Sequence, residues 1–262
     1  VGQQKLSIYF ADNPGYFDNV FLDIRKVQVL VDTCSSSSDD YSWGNDYGRC
    51  WWGEDRRDNK DSCQVWDSLG IRAGVYDVLS LRNGTDTLLG TGIVPGGKVK
   101  KIVITLGDNN YLVKDSVQYP LKSIGGQVRL VIAVRHDEWE EITSGNFQLW
   151  LDFDIDRSII QTRQGQFILR PVIHVFTPKQ TGSVSGKVTP FAAYPVITLY
   201  NDTDTSYALP WKEGGGYQIR GLKAGTYNLF VNASNGYSDT TITGIVVKKG
   251  ADTKVDPVKL NK

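Results

Sequence analysis

The chain has 262 residues, with 29 basic and 29 acidic side chains and a formal net charge of zero. A neutral total provides no long-range field toward nucleic acid or an anionic membrane surface, so no nucleic-acid partner is expected. No apolar run reaches the roughly 20 residues of a bilayer span; the chain starts at Val1 without any methionine, so it reads as a processed or truncated product, and the only membrane tie expected is through an anchor upstream of Val1.

Short alternating runs bounded by Gly and Asn predict a mainly β protein of two β-sandwich-type domains. Residues 1–177 form the first, with a short helix and a long insertion. Residues 178–262 form the second, a small antiparallel sandwich. KLSIYFAD opens as a strand with Leu6, Ile8 and Phe10 on one face. NVFLDIRKVQVLVD follows, with Val20, Leu22 and Ile24 on one phase and Val27, Val29 and Val31 on the other, and such a phase change predicts a bulge near Arg25 and Lys26.

Regular patterning stops between residues 35 and 62, and loops of this length are uncommon unless they have a role. Trp43, Trp51, Trp52, Tyr41 and Tyr47 sit there among Ser, Asp, Gly and Asn. Flat rings among short polar side chains suit a ligand-binding surface for a surface protein or a glycan. The alternative is that Trp51 and Trp52 fold back as a satellite cluster beside Cys50. Cys34, Cys50 and Cys63 surround the same segment. One disulfide could form among them in three ways, and their grouping favours an exported protein over a cytosolic one.

Beyond the insertion, VYDVLSLRNG predicts a helix from about Tyr76 to Arg82, stopped by Asn83 and Gly84. Strands resume in KKIVITLG, NYLVK and QVRLVIAVR. Then comes LWLDFDIDRSII, where period two puts Leu149, Leu151, Phe153 and Ile155 toward the core and Asp152, Asp154 and Asp156 outward. Like charges about 6.6 Å apart, two rises of a strand, need an offset. Arg129, Arg135 and Arg170 could provide it across the sheet. Calcium is the other reading, with Asp12, Asp18 or Asp23 as further donors; otherwise no cofactor is expected. A glycosidase pair is disfavoured, because carboxylates two apart on one strand point the same way and cannot bracket a bond. Pro171, within FILRPVIHVF, argues for a sheet edge or bulge. His174 reads as a sheet residue and His136 as the start of a turn. Neither has a nucleophile beside it and no phosphate-binding loop is present, so the chain is not expected to be an enzyme.

The features DFDIDRSI, FILRPVI, YDVLSLRNG and FADNPGYFDNVFLDI resemble the bacterial family catalogued as domain of unknown function 4382, over most of residues 4 to 176. The insertion departs from the usual pattern of that family. SGKVTP, YQIRGLKAGTYNLFV and TITGIVVKKGADT look like the carboxypeptidase regulatory-like, transthyretin-like sandwich. Together these resemblances imply an exported bacterial protein at the cell surface or anchored to the outer membrane, a lipoprotein or secreted component acting in adhesion or surface assembly. The alternative is a carbohydrate-binding accessory. Neither resemblance carries over a catalytic residue.

Overall fold

A computed structural model describes residues 2–12, 16–34, 50–53, 63–81, 87–134, 140–143, 145–211 and 214–262. The chain is mainly β and divides into two compact units. The first is built from described residues up to Thr177, and the second from Pro178–Lys262 together with Tyr16.

The first unit opens with β1 (Gln3–Asp12) and the long β2 (Asn19–Asp32), followed by β3 (Cys50–Trp52), β4 (Gln64–Leu69) and β5 (Gly74–Asp77). Next come β6 (Thr87–Pro95), β7 (Lys98–Leu106), β8 (Tyr111–Lys114), β9 (Val117–Ser123) and β10 (Arg129–Ala133). The last segments are β11 (Glu140–Thr143), β12 (Asn146–Phe153), the single helical turn α1 (Ile155–Ser158), β13 (Ile159–Gln161), β14 (Phe167–Leu169) and β15 (Ile173–Phe176).

These strands form two sheets. In the smaller, β1 lies between β6 and β12, parallel to β12, and the far edge of β12 pairs first with β11 and then with β15. In the larger, the order is β13-β14-β9-β8-β2-β7-β10-β3, and β4 and β5 share the remaining edge of β2. The β2–β7 register shifts between Ile24 and Lys26. This is the bulge that the phase change in the apolar pattern predicts. Alternate residues of both sheets meet in one core, with Leu6, Ile8, Val29, Ile102, Leu149 and Ile173 fully buried.

The predicted helix at Tyr76 to Arg82 needs correction. Tyr76 and Asp77 are strand residues paired to Leu22 and Phe21, and only Val78–Leu81 wind into a 3-10 turn. The Asp77 carboxylate sets that turn by accepting from Leu79 N at 3.1 Å, and it also accepts from Asn19 Nδ2 at 2.8 Å.

The second unit holds β16 (Gly182–Thr189), β17 (Val196–Tyr200), β18 (Thr205–Ala208), β19 (Gly216–Leu222), β20 (Gly225–Asn232), β21 (Thr240–Val247), β22 (Asp252–Lys254) and β23 (Val258–Lys259). β16 pairs with β19, β22 and β23 in one four-stranded sheet, and β18-β17-β20-β21 form the other. Val184, Ile197, Leu199, Leu229 and Val231 fill its separate core. Tyr227 closes the β19–β20 corner, where its hydroxyl donates to Lys223 O at 3.0 Å, a contact of the tyrosine-corner type.

Candidate functional site

Two places carry the candidate residues: the aspartate-rich end of β12 and the base of the insertion. At the first, alternation holds through Phe153 and then fails. β12 ends there, Asp154 becomes the N-cap of α1, and Ile155 reaches the core from a helical turn. The expected outward row of three carboxylates is therefore not formed. Asp152 and Asp154 are 2% and 5% exposed; the side chain of Asp156 lies outside the described residues, as do Arg135 and His136.

Buried carboxylates need partners. Asp154 Oδ1 accepts from Arg157 N at 3.0 Å, as a capping residue should, and Oδ2 meets Arg157 Nε at 2.6 Å. The same guanidinium extends its Nη2 to within 2.8 Å of His174 Nε2 on β15. Asp152 faces His174 in the β12–β15 register. The cation that answers Asp154 thus comes from its own helical turn. The spacing D-x-x-R, which puts an arginine at the third position of a capped turn, is the sequence signal for it.

This stretch also moves between the two sheets. β12 belongs to the small sheet, α1 carries the chain across to β13 and β14 in the large one, and Arg170–Val172 carry it back to β15. FILRPVIHVF is therefore two strands in different sheets, with buried Pro171 at the crossing where no ladder bond is required of it. The two crossings are bonded side by side. Asp154 N donates to Val172 O at 3.0 Å, Arg170 N to Ser158 O at 2.7 Å, and Val172 N to Ser158 Oγ at 2.8 Å. We call this double crossing the clip.

Both Asp154 oxygens are engaged by Arg157. Among the described residues no three His, Cys, Asp or Glu side chains are grouped to hold a metal ion. Asp18 and Asp23 are committed elsewhere: Asp18 Oδ2 accepts from Ser116 N, and Asp23 forks onto Arg25 with contacts of 2.7 and 2.8 Å.

At the second place, Cys34 and Cys63 form the disulfide and Cys50 stays free. The bridge extends the β2–β4 pairing, which ends at Asp32 and Gln64. Just beyond it Thr33 N donates to Cys63 O at 2.9 Å, and Cys34 N donates to Asp32 Oδ1 at 3.0 Å. Of the expected ligand-binding aromatics, Tyr41, Trp43 and Tyr47 lie outside the described residues. Trp51 and Trp52 belong to β3, in register with Val131 and Leu130. Neighbours on a strand face opposite ways, so the two indoles cannot make one coplanar platform. Trp52 packs on the core together with Cys50, and its Nε1 donates to Leu169 O on β14 at 3.2 Å. Trp51 lies next to fully buried Val131 on the other face.

A third group of aromatics was not singled out by the sequence. Tyr9, Trp150 and Phe176 are direct cross-strand partners on the outer face of the small sheet. Tyr9 and Trp150 stack with centroids 4.8 Å apart and planes at 14°; Phe176 follows at 6.4 Å. The rings stand side by side and occupy one another's faces, an arrangement that stabilises the sheet and leaves no open stacking face between them for a sugar.

The family model described as domain of unknown function DUF4382 matches residues 3–171, well over half of the chain. The chain belongs to that family. In this DUF4382 chain two of the four features that carry the resemblance, DFDIDRSI and FILRPVI, form the clip. No curated protein matches the sequence. Among solved structures, the chain is similar to the Bacillus anthracis TIE protein at 11% identity and a TM-score of 0.26, covering 99% of this chain and 41% of that one. The DUF4382 chain thus spans about two-fifths of that protein's length. Shaft pilin SpaA of Lactobacillus rhamnosus GG gives 8% identity and a TM-score of 0.25, with 99% and 98% covered. The minor pilin GBS52 of Streptococcus agalactiae gives 12% and 0.23, with 99% and 97% covered. Scores this low do not amount to a shared fold.

Proposed function

We propose that the chain is a non-catalytic, exported bacterial surface protein that works by binding another protein through the 35–62 insertion, as a component of adhesion or surface assembly. The observation that carries this reading is the Cys34–Cys63 disulfide across the base of the insertion. Structural disulfides persist in oxidising compartments, which supports export. A bridge at this position also pins both ends of a segment rich in Trp, Tyr and Asp, which limits the entropy lost when that segment meets a partner. Elsewhere the charged residues of the motif are engaged with one another, which supports a scaffold role for them. The second unit, in this reading a transthyretin-like spacer, would hold the first away from an anchor.

The glycan reading has less support, because Trp51 and Trp52 face apart and Trp52 is built into the core. The test is to coat beads with the intact chain and with a Tyr41→Ala, Trp43→Ala, Tyr47→Ala triple variant, then measure adhesion to purified matrix and cell-surface proteins alongside a glycan array. Saturable binding to a protein, lost in the triple variant and without glycan signal, is the expected result. Glycan binding, or protein binding indifferent to the three substitutions, overturns it.

A further inference from the structure

We propose that the second unit is a tension-bearing link, whose first and last strands form a clamp against a pull along the chain. Tension enters at Gly182, where β16 begins, and leaves past Lys259, where β23 ends. β16 pairs in parallel with β22, from Ser183–Asp252 to Ser185–Lys254, and with β23, at Val188–Val258 and Thr189–Lys259. The entry and exit strands are therefore neighbours, and the points of entry and exit lie at opposite ends of β16, about 23 Å apart by the strand rise.

Pulled this way, β16 must slide lengthwise past β22 and β23. The interstrand bonds lie across the direction of sliding, so they share the load and break together. Ser183 N donates to Ala251 O at 2.9 Å, Val255 N to Ser185 O at 2.8 Å and Leu260 N to Thr189 O at 2.8 Å, spread along the length of β16. Side chains reinforce the entry end: the Asp252 carboxylate accepts from both Ser183 Oγ and Ser185 Oγ at 2.6 Å, the length of charge-assisted bonds.

The first unit has the opposite construction. Its exit strand β15 is antiparallel to β12, which is parallel to the entry strand β1. Phe176 lies level with Trp150 and so with Tyr9, further along β1 than Gln3. Tension between Gln3 and Phe176 thus turns β15 back along itself, and its pairs with β12 open one at a time from Trp150–Phe176. The link role rests on the reading of the second unit as a spacer, and not on the insertion as the binding surface.

The experiment stretches the intact, oxidised chain between its two ends in a single-molecule force instrument. It needs no partner, so its outcome is independent of the bead assay. Unfolding of Gly182–Leu260 releases about 25 nm, and that of the first unit, with Cys34 and Cys63 closed over a sequence separation of 29, about 50 nm. The first unit should yield first, and the 25 nm step should come last, at about twice the force or more, because forced unfolding follows the barrier rather than the equilibrium stability. A second geometry pulls the same fold between the N-terminal end and the thiol introduced by Lys249→Cys, in a Cys50→Ser background. That point lies beside the start of β16, where Gly250 N donates to Thr181 O at 2.8 Å, so the β16–β22 pairs are peeled open in turn. There the force for the second unit should fall by about half. A 25 nm step that comes first in end-to-end pulling, or equal unfolding forces in the two geometries, would overturn the link.

Discussion

The two units bury different chemistry. In the first, Asp23, Asp32, Lys101, Asp152 and Asp154 are all less than a tenth exposed, together with Gln4, Ser7, Ser158 and Thr177. In the second, the described core is apolar apart from Tyr217 and Tyr227. A sandwich therefore does not require internal charge, and Asp154 inside the first unit answers a local problem there. The chain crosses between sheets twice at the clip, and each crossing leaves backbone groups that no ladder can pair. Asp154 and Ser158 satisfy them at Arg157 N, Val172 O, Arg170 N and Val172 N.

The largest effect should come from the base of the insertion. Replacing Cys34 and Cys63 together by Ser releases a loop spanning a sequence separation of 29, worth about 3 to 4 kcal/mol on the chain-entropy account. Six of the seven tryptophans precede residue 178, so urea unfolding followed by fluorescence reports the first unit. A loss below about 1 kcal/mol would mean that the β2–β4 ladder already holds the insertion unaided.

Next is Asp154→Ala. It removes a cap, worth about 1 kcal/mol, and strands Arg157, whose side chain is 17% exposed. Stranding a fully buried partner costs about 3 to 5 kcal/mol; with water still reaching Arg157, a total of about 2 to 3 kcal/mol is expected by the same urea measurement. Asp154→Asn, which keeps a good cap but not the charge, should lose about half as much. Equal losses for the two variants would show that charge, not capping, holds the turn.

Trp52→Phe tests whether the insertion's base and the clip are one construction. It keeps an aromatic ring on the core but drops the bond to Leu169 O, so about 1 kcal/mol should be lost. Trp51→Phe, which lies on the other face of β3, should change the midpoint less.

Much of this frame was legible in the sequence. Alternation in β1, β2, β7 and β12 reflects side chains that must face one core, and the bulge at Arg25 was visible because a slipped phase exposes a whole strand unless one residue is looped out. The end of β12 was hidden for a physical reason: Ile155 enters the core from α1, so the apolar pattern runs on although the backbone has changed. Asp154 looked like a member of an outward row because the arginine that answers it is three residues later, a helical spacing inside a strand pattern. β3 was illegible as well, since Cys50–Trp52 is too short to show any alternation, and its place is set by pairing with β10.

The smallest effects belong to the second unit, and there the two tyrosines should respond with opposite sign. Tyr217 Oη is buried without a hydrogen-bond partner among the described residues, close against Gly186, whereas Tyr227 donates to Lys223 O. Removing an unpaired buried hydroxyl relieves its desolvation, so Tyr217→Phe should be neutral or stabilising by up to about 1 kcal/mol at pH 8, while Tyr227→Phe should lose about that much. Burial, and after it the Asp252 carboxylate, raises the Tyr217 phenol well above its ordinary value; burial, then Asp204, raises that of Tyr227 against an opposing hydrogen bond from Asn201. The folded chain therefore holds these protons more tightly than the unfolded one. That contribution is complete below the ordinary tyrosine value near 10 and is lost as pH climbs past it. Alkaline unfolding of the second unit, followed by tyrosinate absorbance and circular dichroism, should accordingly move to higher pH in Tyr217→Phe. A clear loss of stability in that variant at pH 8 would mean that the hydroxyl has a partner, and the contrast between a clip that satisfies its buried polar groups and a second unit that tolerates an unsatisfied one would fail.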